Sequence, residues 1–378
     1  MKRSISKPKS IPSIYSPTRL WIRNFIKSRV DKQLPVVISI QRKFRTKAFD
    51  FYFKLVAVAC DHVFFTYMLP LLFWFGYGML ARGLSVMVLS TVALTGLVKD
   101  YVMTERPKSP PAVKLSFNQS HTQEFGFPST HSAYVVGTAL YLTIINITNN
   151  ESYSFYTNLS LYFLLAGLWI LSLSVVFGRV YCGMHSPIDL VGGVLLGTLL
   201  SFPLAINFKS LDNYLFFEGL RGPFTISIIT ALVLYQHPTF TEKCICYEDT
   251  FSAISVINGI AFGTYLFSIY KTPSEPSITS LYFNYQEFGF LRTSTRIILG
   301  VMLIAVWKTI AASVLRKLSG MVFKNKLQAE QSPNFQLHAF GHSGVIYSIR
   351  NLVRIPVYFG IGFLVVFVVP WVYYIIGI

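Results

Sequence analysis

The sequence predicts an all-α fold, a polytopic membrane bundle of eight or nine transmembrane helices. Three observations predict it. The 378 residues are 53% hydrophobic and only 13% charged, with a mean hydropathy of +0.51, whereas a soluble domain carries about 25% charge. Apolar runs close to the roughly 17–25 residues that cross a bilayer recur along the chain. Aromatic residues make up 16% of the total, which suits belts at both membrane–water interfaces.

Residues 1–54 open the chain. They hold 14 Lys and Arg against Asp31 and Asp50, twelve of the net +17 charges, and begin rich in Ser, Pro and Lys. We read them as a basic, cytosolic and largely disordered tail that flanks the first span and touches anionic membrane lipid. No nucleic-acid motif accompanies the charge, so nucleic acid is not expected as a partner. No apolar stretch follows the first basic residues promptly, as a cleavable signal would require. The expected spans are Val63–Leu80, Leu84–Val98, Ser132–Thr148, Leu159–Phe177, Leu190–Ile206, Pro223–Gln236, Ser252–Tyr270, Arg296–Leu315 and Val357–Ile378. The second and sixth are short, and Phe51–Leu80 is long enough to hold an additional membrane passage. Arg316–Arg354 carries six basic residues against Glu330 and reads as a second cytosolic flank. The four cysteines form no disulfide framework, and free thiols are expected. A metal site at Cys244-x-Cys246 with His237 would need further ligands.

Three polar stretches interrupt the apolar pattern. "LVKDYVMTERPKSPP" closes the second run with Lys99 and Arg106, and Pro107 stops any continuing helix. Alone, such cations are ordinary snorkelling anchors. "GFPSTHS" starts a helix, with Ser129 or Thr130 as N-cap of the Ser132–Thr148 run. A plain cap would leave His131 as an interfacial side chain, but a helix N-terminus is also a ready phosphate site. "FGRVYCGMHSPIDLVGG" places Arg179, His185 and Asp189 between two apolar runs. Here Ser186-x-x-Asp189 reads as a capping box with Pro187 at the first helical position. The same carboxylate is within reach of the His185 imidazole.

Two spans separate the second stretch from the third, so all three can meet on one membrane face. Three cations gathered at one point repel unless a highly charged anion joins them, and phosphate suits Arg geometry. Two histidines supply a nucleophile for phosphorus and an acid for the leaving oxygen, since imidazole titrates near neutrality. No paired Asp clusters for divalent metal occur in these stretches. The economical chemistry is therefore a covalent phosphohistidine route without metal or cofactor.

Together, K-x6-R-P at Lys99–Pro107, P-S-T-H at Pro128–His131 and R-x5-H-x3-D at Arg179–Asp189 resemble the signature of the type 2 phosphatidic acid phosphatase superfamily. "GFPSTHS" and "RVYCGMHSPIDL" are most similar to its sphingosine-1-phosphate phosphatase branch, and "CICYEDTFSAISVINGI" resembles the fungal long-chain-base phosphate phosphatases. The resemblance implies a catalytic membrane core over residues 55–207, with 208–378 adding C-terminal transmembrane helices. It implies that Lys99, Arg106 and Arg179 hold the phosphate, with donors from Ser129 and the Thr130 backbone. It also implies that His185 attacks phosphorus, Asp189 orients it and His131 protonates the leaving oxygen. Two positions depart from the pattern. Thr130 stands where many members have Gly, and Gly178 stands where a Ser usually precedes the arginine, removing a candidate phosphate donor.

The implied activity is dephosphorylation of sphingoid long-chain-base 1-phosphates in an endoplasmic-reticulum membrane, with the site facing the lumen. A broad lipid phosphate phosphatase for phosphatidate or isoprenoid diphosphate stays open, as does a weakly catalytic protein that binds or moves phosphorylated lipid. The sequons Asn118-Gln-Ser and Asn150-Glu-Ser fall on opposite sides and do not decide the topology. Asn118, Gln123 or Glu124 are candidates for binding a sphingoid amine. Phe64, Phe65, Phe73, Trp74, Phe75 and Tyr77 are candidates for an acyl slot. Gly193-x-x-x-Gly197 predicts close helix packing, and His338 and His342 read as loop residues.

Overall fold

The computed structural model describes residues 16–59, 62–117, 124–148, 158–238, 246–270, 281–322 and 349–378. Every regular element among them is helical. Cys60, Asn118, Gln123, Asn150, Cys244, Glu330, His338 and His342 lie outside the described residues.

Helix α1 spans Pro17–Phe44, with the Ser16 hydroxyl accepting the Arg19 N–H at 3.2 Å and Pro17 in the first turn. The expectation of a largely disordered tail is corrected from Pro17 onward. Ile26, Val30, Val37 and Gln41 recur at helical spacing and are buried. The abundant charge of the segment hides this sparse stripe, because no long apolar run accompanies it. α2 (Lys47–Ala59) and α3 (His62–Trp74) follow, each 13 residues and too short to cross a bilayer alone. The expected first span, Val63–Leu80, breaks after Trp74, where Gly76 adopts φ 84°. Its last residues join α4 (Gly78–Val102), so the expected short second span is a full 25-residue helix.

α5 (Thr130–Thr148), α6 (Asn158–Tyr181) and α7 (Pro187–Ile206) complete the core. α5 sits at its centre, buried from His131 to Ala139. A Cβ at Gly193 or Gly197 would collide with the carbonyls of Ser129 or Ala133, so the two glycines let α7 and α5 touch backbone to backbone. α8 (Phe208–Phe216) bends 93° into α9 (Arg221–Tyr235). The buried Arg82 clamps α8 to α4 through two 2.7 Å bonds to the Asp212 carboxylate. α10 (Cys246–Ile269) packs on α4 and on α12 (Ile349–Phe363), which continues through a π-turn into α13 (Val369–Ile376). α11 (Tyr285–Val322) carries a break at Gly289.

Among the described residues, six helices are long and apolar enough to span a membrane, or seven if the bent α8–α9 pair counts once. The eight or nine expected are not reached by that measure. α3 is too short, and α5, whose first turn carries Thr130, His131 and Ser132, is not among the six.

α1 lies across the end of the bundle where α4 finishes and α5 and α7 begin. Arg19 donates to the Tyr101 and Asp100 carbonyls at 2.7 and 2.8 Å, and Arg23 to that of Met103 at 3.3 Å. Gln33 accepts the Ile188 N–H at 2.8 Å. Gln41 bonds both peptide groups of Val113 and the Tyr181 carbonyl. α2 leaves from this same end, where the Tyr181 hydroxyl donates to Asp50 at 2.7 Å. The α2–α3 pair descends and α4 returns, so α1 and the polar loops share one membrane face. Residues 17–44 and the polar loops thus lie at the same end of the bundle. Arg19 and Arg23 cap the carbonyls that end α4, so part of the tail's charge serves docking rather than topology.

Candidate active site

Each polar stretch reaches the site from a helix end. Lys99 stands in the last turn of α4, Arg106 just beyond it, Ser129–His131 at the start of α5, Arg179 in the last turn of α6, His185 in the following turn and Asp189 in the first turn of α7. Lys99, Arg106, Arg179 and His185 are 2, 6, 5 and 1% exposed, so the site keeps three cations away from bulk water.

The Arg106 guanidinium is the hub. It donates to the carbonyls of Glu124 at 3.1 Å and Met184 at 3.0 Å, and its Nη1 lies 3.1 Å from His185 Nε2. A guanidinium can only donate, so His185 Nε2 presents its lone pair. That is the tautomer a nucleophile needs, with the proton on Nδ1 facing Asp189. His185 Nδ1 lies 3.7 Å from Asp189 Oδ2, an electrostatic rather than a hydrogen-bonded contact. Asp189 Oδ2 instead accepts from the Ser186 N–H at 2.7 Å and hydroxyl at 2.9 Å, closing the predicted capping box. Burial, and then Arg106, Arg179, Lys99 and His131, hold the His185 pKa well below the ordinary imidazole value. His185 is thus neutral at physiological pH. Burial lowers Arg106 to about 10, which leaves it charged.

Arg179 Nε and Nη2 are buried and make no hydrogen bond. Lys99 Nζ and Arg106 Nη2 share one oxygen of Glu124, at 2.7 and 3.3 Å. Glu124, a candidate partner for a substrate amine, here forms ion pairs with Lys99 and Arg106. The Ser129 N–H donates to the Asp189 carbonyl at 2.9 Å, and the Ser129 hydroxyl accepts from Ser132. Ser129 thus seats α5 on α7, while Thr130 opens the helix. His131 is 8% exposed and lies 5.3 Å from the Tyr134 ring. Tyr134 in turn stacks edge-on against Phe65 at 5.3 Å.

Phe65 and Phe73 line a mainly apolar cavity between α3, α4, α10 and α12, together with Val88, Val92, Ala253 and Tyr358. Two of the six aromatics expected at an acyl slot therefore reach it. Trp74 is instead core, donating to the Val365 carbonyl.

The Gly178 position is explained by packing. A Cβ there would meet the Phe53 ring at 2.8 Å, so a serine would point into α2 rather than toward a phosphate.

Sequence reasoning missed a second buried pair. His237 Nε2 lies 3.6 Å from Asp100 Oδ2, and burial pushes His237 down to about 4. His237 reads as a loop residue, and only the return of α9 to the site end brings it there. Cys246 is disulfide-bonded, while Cys182 is free and buried. The expectation of free thiols is corrected for Cys246. Among the described residues no group of three His, Cys, Asp or Glu could hold a metal.

Residues 80–210 match the family model described as the PAP2 superfamily. A dihydrosphingosine 1-phosphate phosphatase of Schizosaccharomyces pombe is 30% identical over 94% of this chain and 90% of its own length. One of Saccharomyces cerevisiae is 31% identical over 77% and 70%, and the human sphingosine-1-phosphate phosphatase 2 is 26% identical over 62% and 57%. No solved structure matches. With its three motifs gathered at one end of the bundle and a relative aligned along nearly the whole chain, this protein belongs to the PAP2 superfamily, in the branch that holds those relatives.

Proposed function

We propose that the chain hydrolyses the phosphate monoester of sphingoid long-chain bases in a multi-pass membrane setting. One observation carries the reading: a buried, neutral His185 with its Nε2 lone pair held among three cations. The names of the relatives supply the lipid class. His185 Nε2 attacks phosphorus and the bond to the lipid oxygen breaks. His131 gives that oxygen its proton, releasing the free base. Water then attacks the phosphohistidine, His131 takes its proton and the N–P bond breaks to release phosphate. Lys99, Arg106 and Arg179 stabilise the oxygens throughout. Asp189, reached by Nδ1 once the loops close on substrate, stabilises the charge on His185.

No step needs a metal. The alkyl chain extends past Tyr134 and Phe65 into the cavity of α3, α4, α10 and α12. We place the site in the lumen of the endoplasmic reticulum. Cys246 clusters with Met103 and Phe125 at the site end, and its disulfide fits an oxidising compartment. The packing of Gly178 against Phe53 supports turnover over binding alone, since a serine there would not face the phosphate.

The test compares kcat/KM for dihydrosphingosine 1-phosphate and phosphatidate in mixed micelles at matched surface concentration. A clear preference for the sphingoid substrate is expected. Equal values, or a preference for phosphatidate, would establish the broad lipid phosphatase instead.

A further inference from the structure

Glu124 occupies the place where two of the three phosphate-holding cations converge. One carboxylate oxygen lies 2.7 Å from Lys99 Nζ and 3.3 Å from Arg106 Nη2, and its own backbone carbonyl takes the Arg106 Nε proton at 3.1 Å. Lys99 and Arg106 are almost fully buried, whereas the Glu124 side chain is 14% exposed. It sits at the rim, on the stretch between the first two motifs, and is the most exposed of the trio. Arg179 meanwhile keeps Nε and Nη2 unbonded and buried, so the cradle has capacity that a single carboxylate does not use.

We propose that Glu124 is an exchangeable counter-ion which the substrate phosphate displaces, and that the released carboxylate then binds the substrate's ammonium. A phosphomonoester carries nearly two charges near neutral pH and several acceptor oxygens, so it outcompetes one carboxylate for Lys99 and Arg106 and also engages Arg179. In a sphingoid 1-phosphate the ammonium sits on the carbon next to the one bearing the ester oxygen. A carboxylate pushed off the phosphate cradle is therefore at the height of that ammonium. The exchange keeps the buried cations neutralised when the site is empty. A phosphate lacking an amine takes the two cations from Glu124 and offers no ammonium in exchange, which penalises such lipids.

This inference rests on the sphingoid reading above, and the experiment separates the two. Full-length protein carrying Glu124→Gln or Glu124→Asp is purified in detergent and checked for wild-type thermal stability. Two readouts follow: inhibition by inorganic phosphate, and kcat/KM for dihydrosphingosine 1-phosphate against an alkyl phosphate of the same chain length. Glu124→Gln is expected to bind inorganic phosphate several-fold more tightly. It should lose about tenfold in kcat/KM on the amine substrate while holding or gaining on the alkyl phosphate. Glu124→Asp should recover part of the amine preference. An equal loss on both substrates with unchanged phosphate inhibition would overturn the proposal and make Glu124 a clamp for Lys99 and Arg106. If wild-type protein shows no amine preference while Glu124→Gln still tightens phosphate binding, the sphingoid reading and the amine contact fail together, and only the displacement survives.

Discussion

Gly178 shows how a residue's neighbour in space overrides its neighbour in sequence. Beside Arg179 it looked like a lost phosphate donor, yet its Cβ direction points at Phe53. Gly178→Ser should therefore leave kcat/KM no higher than wild type and should lower the melting temperature, read in paired activity and thermal-shift assays. His237 makes a second residue-scale prediction. Its folded pKa of about 4 lies below the ordinary 6.5, so the unfolded chain takes up its proton first as pH falls. The neutral, buried state is fully compatible with folding above 6.5 and is penalised progressively between 6.5 and about 4. The loss is about 3 kcal/mol at 1.36 kcal/mol per pH unit. His237→Phe should flatten the fall in melting temperature across that window, and an unchanged slope would remove His237 from the account. The meeting of Lys99, Arg106, His131, Arg179, His185 and Asp189 at one end of the bundle was legible because their types and spacings are specific. Glu124 and His237 were not legible in these roles, because a lone acid or histidine in a loop has no local pattern to announce its partner.

At the scale of elements, the apolar runs located α6, α7, α10 and α11 well but misplaced the α3–α4 boundary. Hydropathy does not register the turn at Gly76, which joins two apolar helices without a polar break. α1 was missed for the opposite reason, since its buried stripe is sparse within a charged segment. Its contacts with the Asp100, Tyr101, Val113, Tyr181 and Ile188 peptide groups tie together the segments that carry the first and third motifs. Gln41→Ala should lower kcat more than it raises KM, because it loosens catalytic loops without touching substrate, as steady-state kinetics would show. The Arg82–Asp212 clamp makes a stability prediction away from the site. Asp212→Ala takes the carboxylate from a buried guanidinium and should cost about 3–5 kcal/mol, measurable by denaturation in detergent. A loss below about 1 kcal/mol would mean that α8 is held by packing instead.

For the whole molecule, α1, the catalytic loops and the start of α10 share one membrane face. Engineered glycosylation acceptors placed ahead of Ser16 and in the Lys108–Phe117 stretch should be modified together or not at all, and a split result would contradict this arrangement. Modification of both would place the face in the lumen. The bundle class was legible from composition, whereas the docking of α1 was not, because its charge also reads as a topology signal. In the proposed mechanism Lys99, Arg106 and Arg179 hold the phosphate, so turnover should also survive excess EDTA. The central claim is that phosphate passes through His185, and trapping the intermediate tests it most directly. Protein is mixed with radiolabelled dihydrosphingosine 1-phosphate, quenched rapidly under alkaline conditions and assayed for acid-labile label. Wild-type protein should carry label, His131→Ala should carry it when the substrate has a good leaving group, and His185→Ala should carry none. Acid-labile label retained on His185→Ala would contradict the account.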